Sequence, residues 1–311
     1  MSSLWVFPGQ GAQQPEMLHG LPVSHETREC LAEASAVLEQ DALTLDSAHA
    51  LASTRAVQLC LLIAGVSCAR ILIQRGHRPD YVSGLSIGAY AAAVVAGALS
   101  FADALRLVSL RGELMQQAYP QGFGMTAIMG VDIGTLEGLL AQVNSPEQPV
   151  YLANINAEAQ QVIAGSHGAM RQVALLAKKS GAGCAKLLAV SVPSHCPLLE
   201  TPAARLSEAF SSVDLGPTQI RYLSSSSARL LNTPEQLRDD LANNMCRVVD
   251  WHNTLRMAYE RGVRLHLELP PGTVLTGLAR RQFEPGQAIA FQGARLDTLD
   301  AMLRQEASRD S

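Results

Sequence analysis

Residues 84–88 read Gly-Leu-Ser-Ile-Gly and stand between a short apolar run, Tyr81 to Ser83, and the Ala-rich helical run AYAAAVVAGAL. A G-x-S-x-G segment in that order, strand then motif then helix, describes a sharp strand-to-helix turn. Its two glycines let the backbone reverse with no Cβ in the way, and the serine hydroxyl then projects above the end of a sheet. Ser86 is therefore the candidate nucleophile. The helix behind it adds a positive dipole end, and the backbone N–H of Ile87 is a candidate oxyanion donor. A chance turn of small residues has the same letters, so the reading depends on what else the chain supplies.

The surrounding pattern is that of an α/β protein. Apolar runs bounded by Gly or Pro, such as Leu4 to Phe7 and Arg264 to Leu269, alternate with longer segments of helical period, as in a parallel sheet covered by helices. Between about Gly124 and Pro193 the rhythm changes to strand-like MTAIMGV, helix-like GTLEGLLAQV, strand-like PVYLANI and QQVIAG, helix-like AMRQVALLAKK and strand-like CAKLLAVSV. The order βαββαβ is ferredoxin-like. It predicts a small inserted subdomain over 124–193 within a main domain made of 1–123 and 194–311. The polar tail, Gln305 to Ser311, is expected to be frayed.

Composition narrows the partners. Across 311 residues the charged share is 17% and the formal net charge is −4, so no strong field favours nucleic acid or a membrane surface. The N-terminus MSSLWVFPGQGAQ lacks the basic region and apolar length of a signal peptide. The apolar stretch 54–75 is interrupted by Arg55, Gln58, Arg70 and Gln74 and reads as a buried core helix rather than a span. The six cysteines show no CxxC spacing and are expected to be reduced and structural, which fits a cytoplasmic protein. No metal or redox cofactor is called for.

Three further residues complete a candidate site. Phe7-Pro8-Gly9-Gln10-Gly11-Ala12-Gln13 follows the first strand, and its glycines allow a tight path presenting the Gln10 N–H to a developing oxyanion; a plain Gly/Pro turn reads the same way. A serine needs a base. Of eight histidines, His195 in Val-Pro-Ser-His-Cys-Pro is best placed, following a strand on return from the insertion and held between Pro193 and Pro197. No carboxylate stands out as its orienting partner, so a backbone carbonyl is the alternative. Arg111 interrupts the apolar stripe Phe101, Ala104, Leu107, Val108, Leu114, Met115 of a helix opened by Ser100 and Asp103. A buried guanidinium needs an anion, supplied by the protein or by a ligand carboxylate held in its planar fork.

These motifs together resemble the malonyl-CoA:acyl carrier protein transacylase family over nearly the whole chain. FPGQGAQ, GLSIG, LRGELMQ at 110–116, SHCPLL at 194–199 and LELPPGTVLTGLARR at 267–281 occur in family order. The resemblance implies a hydrolase-like parallel-sheet main domain with the ferredoxin-like insertion, Ser86 as nucleophile, His195 as base, Gln10 and Ile87 as oxyanion donors and Arg111 as the clamp for the substrate carboxylate. It implies malonyl-CoA as donor and the prosthetic-group thiol of an acyl carrier protein as acceptor, with no bound cofactor. A family Gln that helps hold the catalytic histidine falls at Asn244, which still offers a backbone carbonyl. Leu85 and Ala89 stand where the family has His and Glu, and Glu268-Leu-Pro-Pro-Gly272 replaces Glu-Val-Gly-Pro-Gly. In those departures the chain is most similar to the branch that serves as the epsilon subunit of malonate decarboxylase, which loads malonyl onto that enzyme's carrier subunit among its other subunits. Malonyl transfer for fatty-acid or polyketide synthesis, thioester hydrolysis, and a non-catalytic scaffold subunit are the alternatives.

Overall fold

The computed structural model describes residues 2–119 and 121–308. Along the chain, β1 (Ser2–Phe7) leads to α1 (His25–Leu38), α2 (Thr54–Gln74), β2 (Tyr81–Gly84), α3 (Gly88–Val95) and α4 (Phe101–Ala118). Next come β3 (Phe123–Met129), α5 (Ile133–Val143), β4 (Val150–Ala157), β5 (Gln160–Ser166), α6 (His167–Lys179) and β6 (Cys184–Leu187). The last part contains α7 (Glu200–Ala209), β7 (Arg221–Leu223), β8 (Leu230–Leu231), α8 (Pro234–Asn243), β9 (Val249–Asp250) and α9 (Trp251–Glu260). It ends with β10 (Val263–Glu268), α10 (Val274–Ala279), β11 (Gln287–Ala290) and α11 (Leu296–Ser308).

The larger sheet runs β11-β10-β1-β2-β7-β8 and is parallel throughout except for the β7–β8 pair. β1 lies at its centre and is buried on both faces, so its residues divide between two cores. Trp5 and Phe7 pack with α2, α3 and α4, while Leu4 and Val6 face Trp251 and Phe283 on the other side. α2 is long and apolar enough to cross a membrane by length, with a mean hydropathy of 2.1, yet 89% of that stretch is buried inside the protein. It is the core helix that its interruptions by Arg and Gln predict.

The smaller sheet runs β6-β3-β5-β4-β9, and its first four strands pair antiparallel in the ferredoxin order. Its fifth strand, β9, comes from outside 124–193 and joins β4 in parallel. Two expectations are corrected. Cys184 to Val192 reads as one strand, but the register with β3 ends at Leu187, with one last bond from Leu188 N–H to Met125 O at 2.9 Å, and residues 186–190 line a cavity. The tail is helical as far as Ser308 because Leu299, Leu303 and Glu306 form a buried stripe; residues 309–311 lie outside the described part.

Candidate active site

The loops after β1, β2 and β10 gather at the carboxyl ends of adjacent parallel strands, the usual place for a site in such a sheet. β2 ends at Gly84 and α3 begins at Gly88, so the whole reversal falls on Leu85, Ser86 and Ile87. Neither glycine tolerates a Cβ. One at Gly84 would lie 2.0 Å from the carbonyl carbon of Gly88, and one at Gly88 would lie 2.1 Å from the Phe7 oxygen. Ser86 is forced to φ 57°, a left-handed conformation that costs a non-glycine residue about 1–3 kcal/mol. The fold maintains that strain and presents the hydroxyl to a cavity of about 490 Å³.

That cavity lies between the two sheets. Gln10, Gly11, Leu85, Ser86, Met115 and His195 line its inner end, and Met125, Asn154, Val162, Leu188 and Val190 line the side of the smaller sheet. The N–H groups of Gln10 and Ile87 meet no acceptor among the described residues, which leaves both open to an oxyanion. Gly9 lets the first loop close on the elbow, since a Cβ there would meet Leu85 Cδ2 at 2.6 Å.

His195 also has a positive φ, 64°, and is 3% exposed. Its backbone N–H donates to Met245 O at 2.6 Å, and its Nδ1 lies 2.8 Å from Asn244 O and 3.2 Å from Arg247 O. Carbonyl oxygens only accept, so Nδ1 carries the proton and Nε2 is left with its lone pair. Burial, and after it the Arg111 charge, push the imidazole down to about 4, which keeps it neutral at neutral pH with the Nε2 lone pair free to accept a proton. No hydrogen bond joins His195 to Ser86; the Ser86 Oγ accepts from Arg111 Nη2 at 3.2 Å instead. Catalytic contacts of this kind are often long before substrate binds.

Arg111, on α4, is 0% exposed and lies behind Ser86. Its other partners are Gln58 Oε1 at 2.8 Å and Asn244 Oδ1 at 3.1 Å, while its Nε has none. All of these acceptors are neutral, and no carboxylate pairs with it among the described residues. Burial lowers the guanidinium to about 10, still protonated at neutral pH. Asn244 also donates from Nδ2 to Ser86 O at 3.2 Å, so its turn touches the serine, the histidine and the arginine. The sequence-predicted residues are thus together at one end of the cavity. Sequence reasoning missed the contributions of Gln58, Asn154 and the 188–190 loop, although Gln58, a polar residue in an apolar helix, carried a signal. No cluster of three or more metal-binding side chains occurs among the described residues.

Fold and elbow together define an α/β protein with a serine set on a sharp strand-to-helix turn at the carboxyl end of its parallel sheet. Residues 4–304 match the acyl transferase domain. The chain belongs to that family, in the group of the malonyl CoA-acyl carrier protein transacylases. It is 36% identical over 288 residues to the Malonyl CoA-acyl carrier protein transacylase of Escherichia coli (strain K12), covering 89% of this chain and 91% of that protein. FabD from Acinetobacter baumannii superposes with a TM-score of 0.92 at 34% identity, covering 99% of each chain. A malonyl-transacylase, PlMCAT, solved with the type II PKS acyl-carrier protein AntF, also gives 0.92 at 34% identity, covering 98% of this chain and 100% of that one.

Proposed function

We propose that the protein moves malonyl from malonyl-CoA, through an ester on Ser86, to the prosthetic-group thiol of an acyl carrier protein. The observation that carries this reading is Arg111, a buried guanidinium beside the nucleophile whose hydrogen-bond partners among the described residues are all neutral. A donor carboxylate supplies the anion that the protein withholds.

In this mechanism the malonyl carboxylate takes Arg111, and Ser86 Oγ is released towards His195. His195 Nε2 accepts the hydroxyl proton as Oγ bonds to the thioester carbon, and the oxyanion rests on the N–H groups of Gln10 and Ile87. The C–S bond breaks, and the proton leaves with CoA as its thiol. The carrier thiol then enters, gives its proton to His195 and takes the acyl group; collapse of the second adduct returns the proton to Ser86. The Asn244 carbonyl holds the histidine tautomer throughout. Met125, Val162, Leu188 and Val190 give the ester apolar walls that disfavour water, which supports transfer over hydrolysis. The intact set of nucleophile, base and open donors speaks against a non-catalytic scaffold.

The named relatives support an acyl carrier protein as acceptor, the setting of fatty-acid or polyketide synthesis. A second reading, the carrier subunit of malonate decarboxylase with that enzyme's other subunits as neighbours, rests on Leu85, Ala89 and the Leu269-Pro270-Pro271 segment. We divide the chain into a main domain of 1–123 with 194–311 and an inserted subdomain of 124–193, and assign it to the cytoplasm. Malonyl-CoA and acetyl-CoA offered with an acyl carrier protein and with the decarboxylase carrier test donor and acceptor together. Malonyl transfer to one carrier at least 100-fold faster than to the other identifies the setting; no transfer to either contradicts the proposed function.

A further inference from the structure

The partners of Arg111 lead to a residue outside the reacting groups. Gln58 sits on α2, 1% exposed, within the most apolar helix of the chain. Its Oε1 accepts from Arg111 Nη1 at 2.8 Å, and its Nε2 is 3.3 Å from the Met115 sulfur. The amide orientation follows from its neighbours: a guanidinium only donates, so the oxygen must face Arg111 and the NH₂ must face the thioether. The approach of α2 to α4 is what makes this contact. A Cβ on Gly112, next to Arg111, would lie 2.4 Å from the Cα of Arg55, one turn before Gln58.

A helix core normally carries a polar side chain only where a partner demands it. Two residue types with the length of Gln58 satisfy a buried guanidinium, and they do different things. Glutamate would give a closed ion pair, complete without substrate. Glutamine fixes the same nitrogen and leaves the positive charge uncompensated. Asn244 Oδ1, the other side-chain carbonyl acceptor, is likewise an amide and not an acid.

We infer that Gln58 is a specificity-determining positioning residue, which aims Arg111 beside Ser86 while its neutrality reserves the charge for the carboxylate of a dicarboxylic acyl donor. The inference rests on the malonyl reading of the site and adds the source of its selectivity. Gln58 touches neither the reacting carbon nor the thioester; its effect passes through Arg111. An acyl donor without a distal carboxylate gains nothing from it.

The test is the rate of Ser86 acylation by malonyl-CoA and by acetyl-CoA in the full chain, for wild type, Arg111→Met, Gln58→Glu and Gln58→Met. Gln58→Glu neutralises Arg111 within a hydrogen bond, and the ratio of malonyl to acetyl kcat/KM should fall about 100-fold, the worth of one charge-assisted bond. Acetyl-CoA rates should change less than about threefold. Gln58→Met keeps the length and adds no charge, so KM for malonyl-CoA should rise about tenfold with acetyl-CoA unaffected. If Gln58→Glu fails to fold, the Gln58→Met split decides alone. Equal losses with both donors, or no change in the ratio, would mean that Gln58 only packs the helix and would overturn the inference. If wild type shows no malonyl preference and Arg111→Met changes nothing, the donor assignment itself falls and takes the inference with it. A preference lost in Arg111→Met but kept in both Gln58 variants removes the inference alone.

Discussion

The turn at Asn244 holds three groups by three different atoms: its carbonyl fixes His195, its Oδ1 takes Arg111 and its Nδ2 holds the Ser86 carbonyl. Asn244→Ala keeps the first and loses the other two. Malonylation of Ser86 should therefore slow by about tenfold, from the lost bond to a charged group, while the pH at which His195 titrates stays low. In the wild type that pH sets the acid limb. The base proposed at His195 accepts a proton only when neutral, so acylation should be level from neutral pH to about pH 5 and fall about tenfold per unit below its value of about 4. Burst acylation at each pH measures it, and an inflection near the ordinary imidazole value would contradict the site's electrostatics. Ser86 and Arg111 were legible in the sequence because each breaks a local pattern. The side-chain role of Asn244 was not, since its partners lie 133 and 158 residues away and nothing local marks them. The positive φ of His195 is likewise imposed by its neighbours, not encoded in a glycine.

Among the elements, the elbow and the α2–α4 contact do most to place the chemistry. Gly112→Ala should destabilise the protein by about 1–3 kcal/mol through overpacking, because its Cβ meets the Arg55 backbone, which cannot swing aside. It should also part Gln58 from Arg111. A thermal melt together with the malonyl-to-acetyl ratio checks both halves; an unchanged melt would show that the helices have room. The antiparallel part of the smaller sheet was legible because its strands and helices each carry their own apolar period. β9 was not: it is two residues long and pairs with β4 far away in sequence. β6 reads too long because the apolar residues after Leu187 serve the cavity wall, and apolar composition does not distinguish a strand from a lining loop.

For the whole molecule, acid stability reflects two buried imidazoles. Burial pushes His266 down to about 3 and His195 to about 4, against 6.5 for an ordinary histidine. Across that window the unfolded chain binds more protons, so their contribution is full above about pH 6.5 and falls as the pH drops, by about 1.4 kcal/mol per unit for each group. Among the described residues His266 has no hydrogen-bond partner at either nitrogen, and it packs edge-on to Phe283. His266→Phe should therefore raise stability at neutral pH by about 1 kcal/mol and flatten its acid dependence; urea midpoints at several pH values read both, and a destabilised variant would reveal a partner for that ring. The α/β architecture that carries these cores was visible in the alternation of the sequence, whereas the cavity between the sheets was not, because it belongs to neither element alone. In the proposed function, this architecture carries an acyl group on Ser86. Intact-protein mass measurement after mixing with malonyl-CoA tests it most directly: one malonyl adduct on the wild type and none on Ser86→Ala is the predicted result, and an adduct that persists in Ser86→Ala would contradict the account.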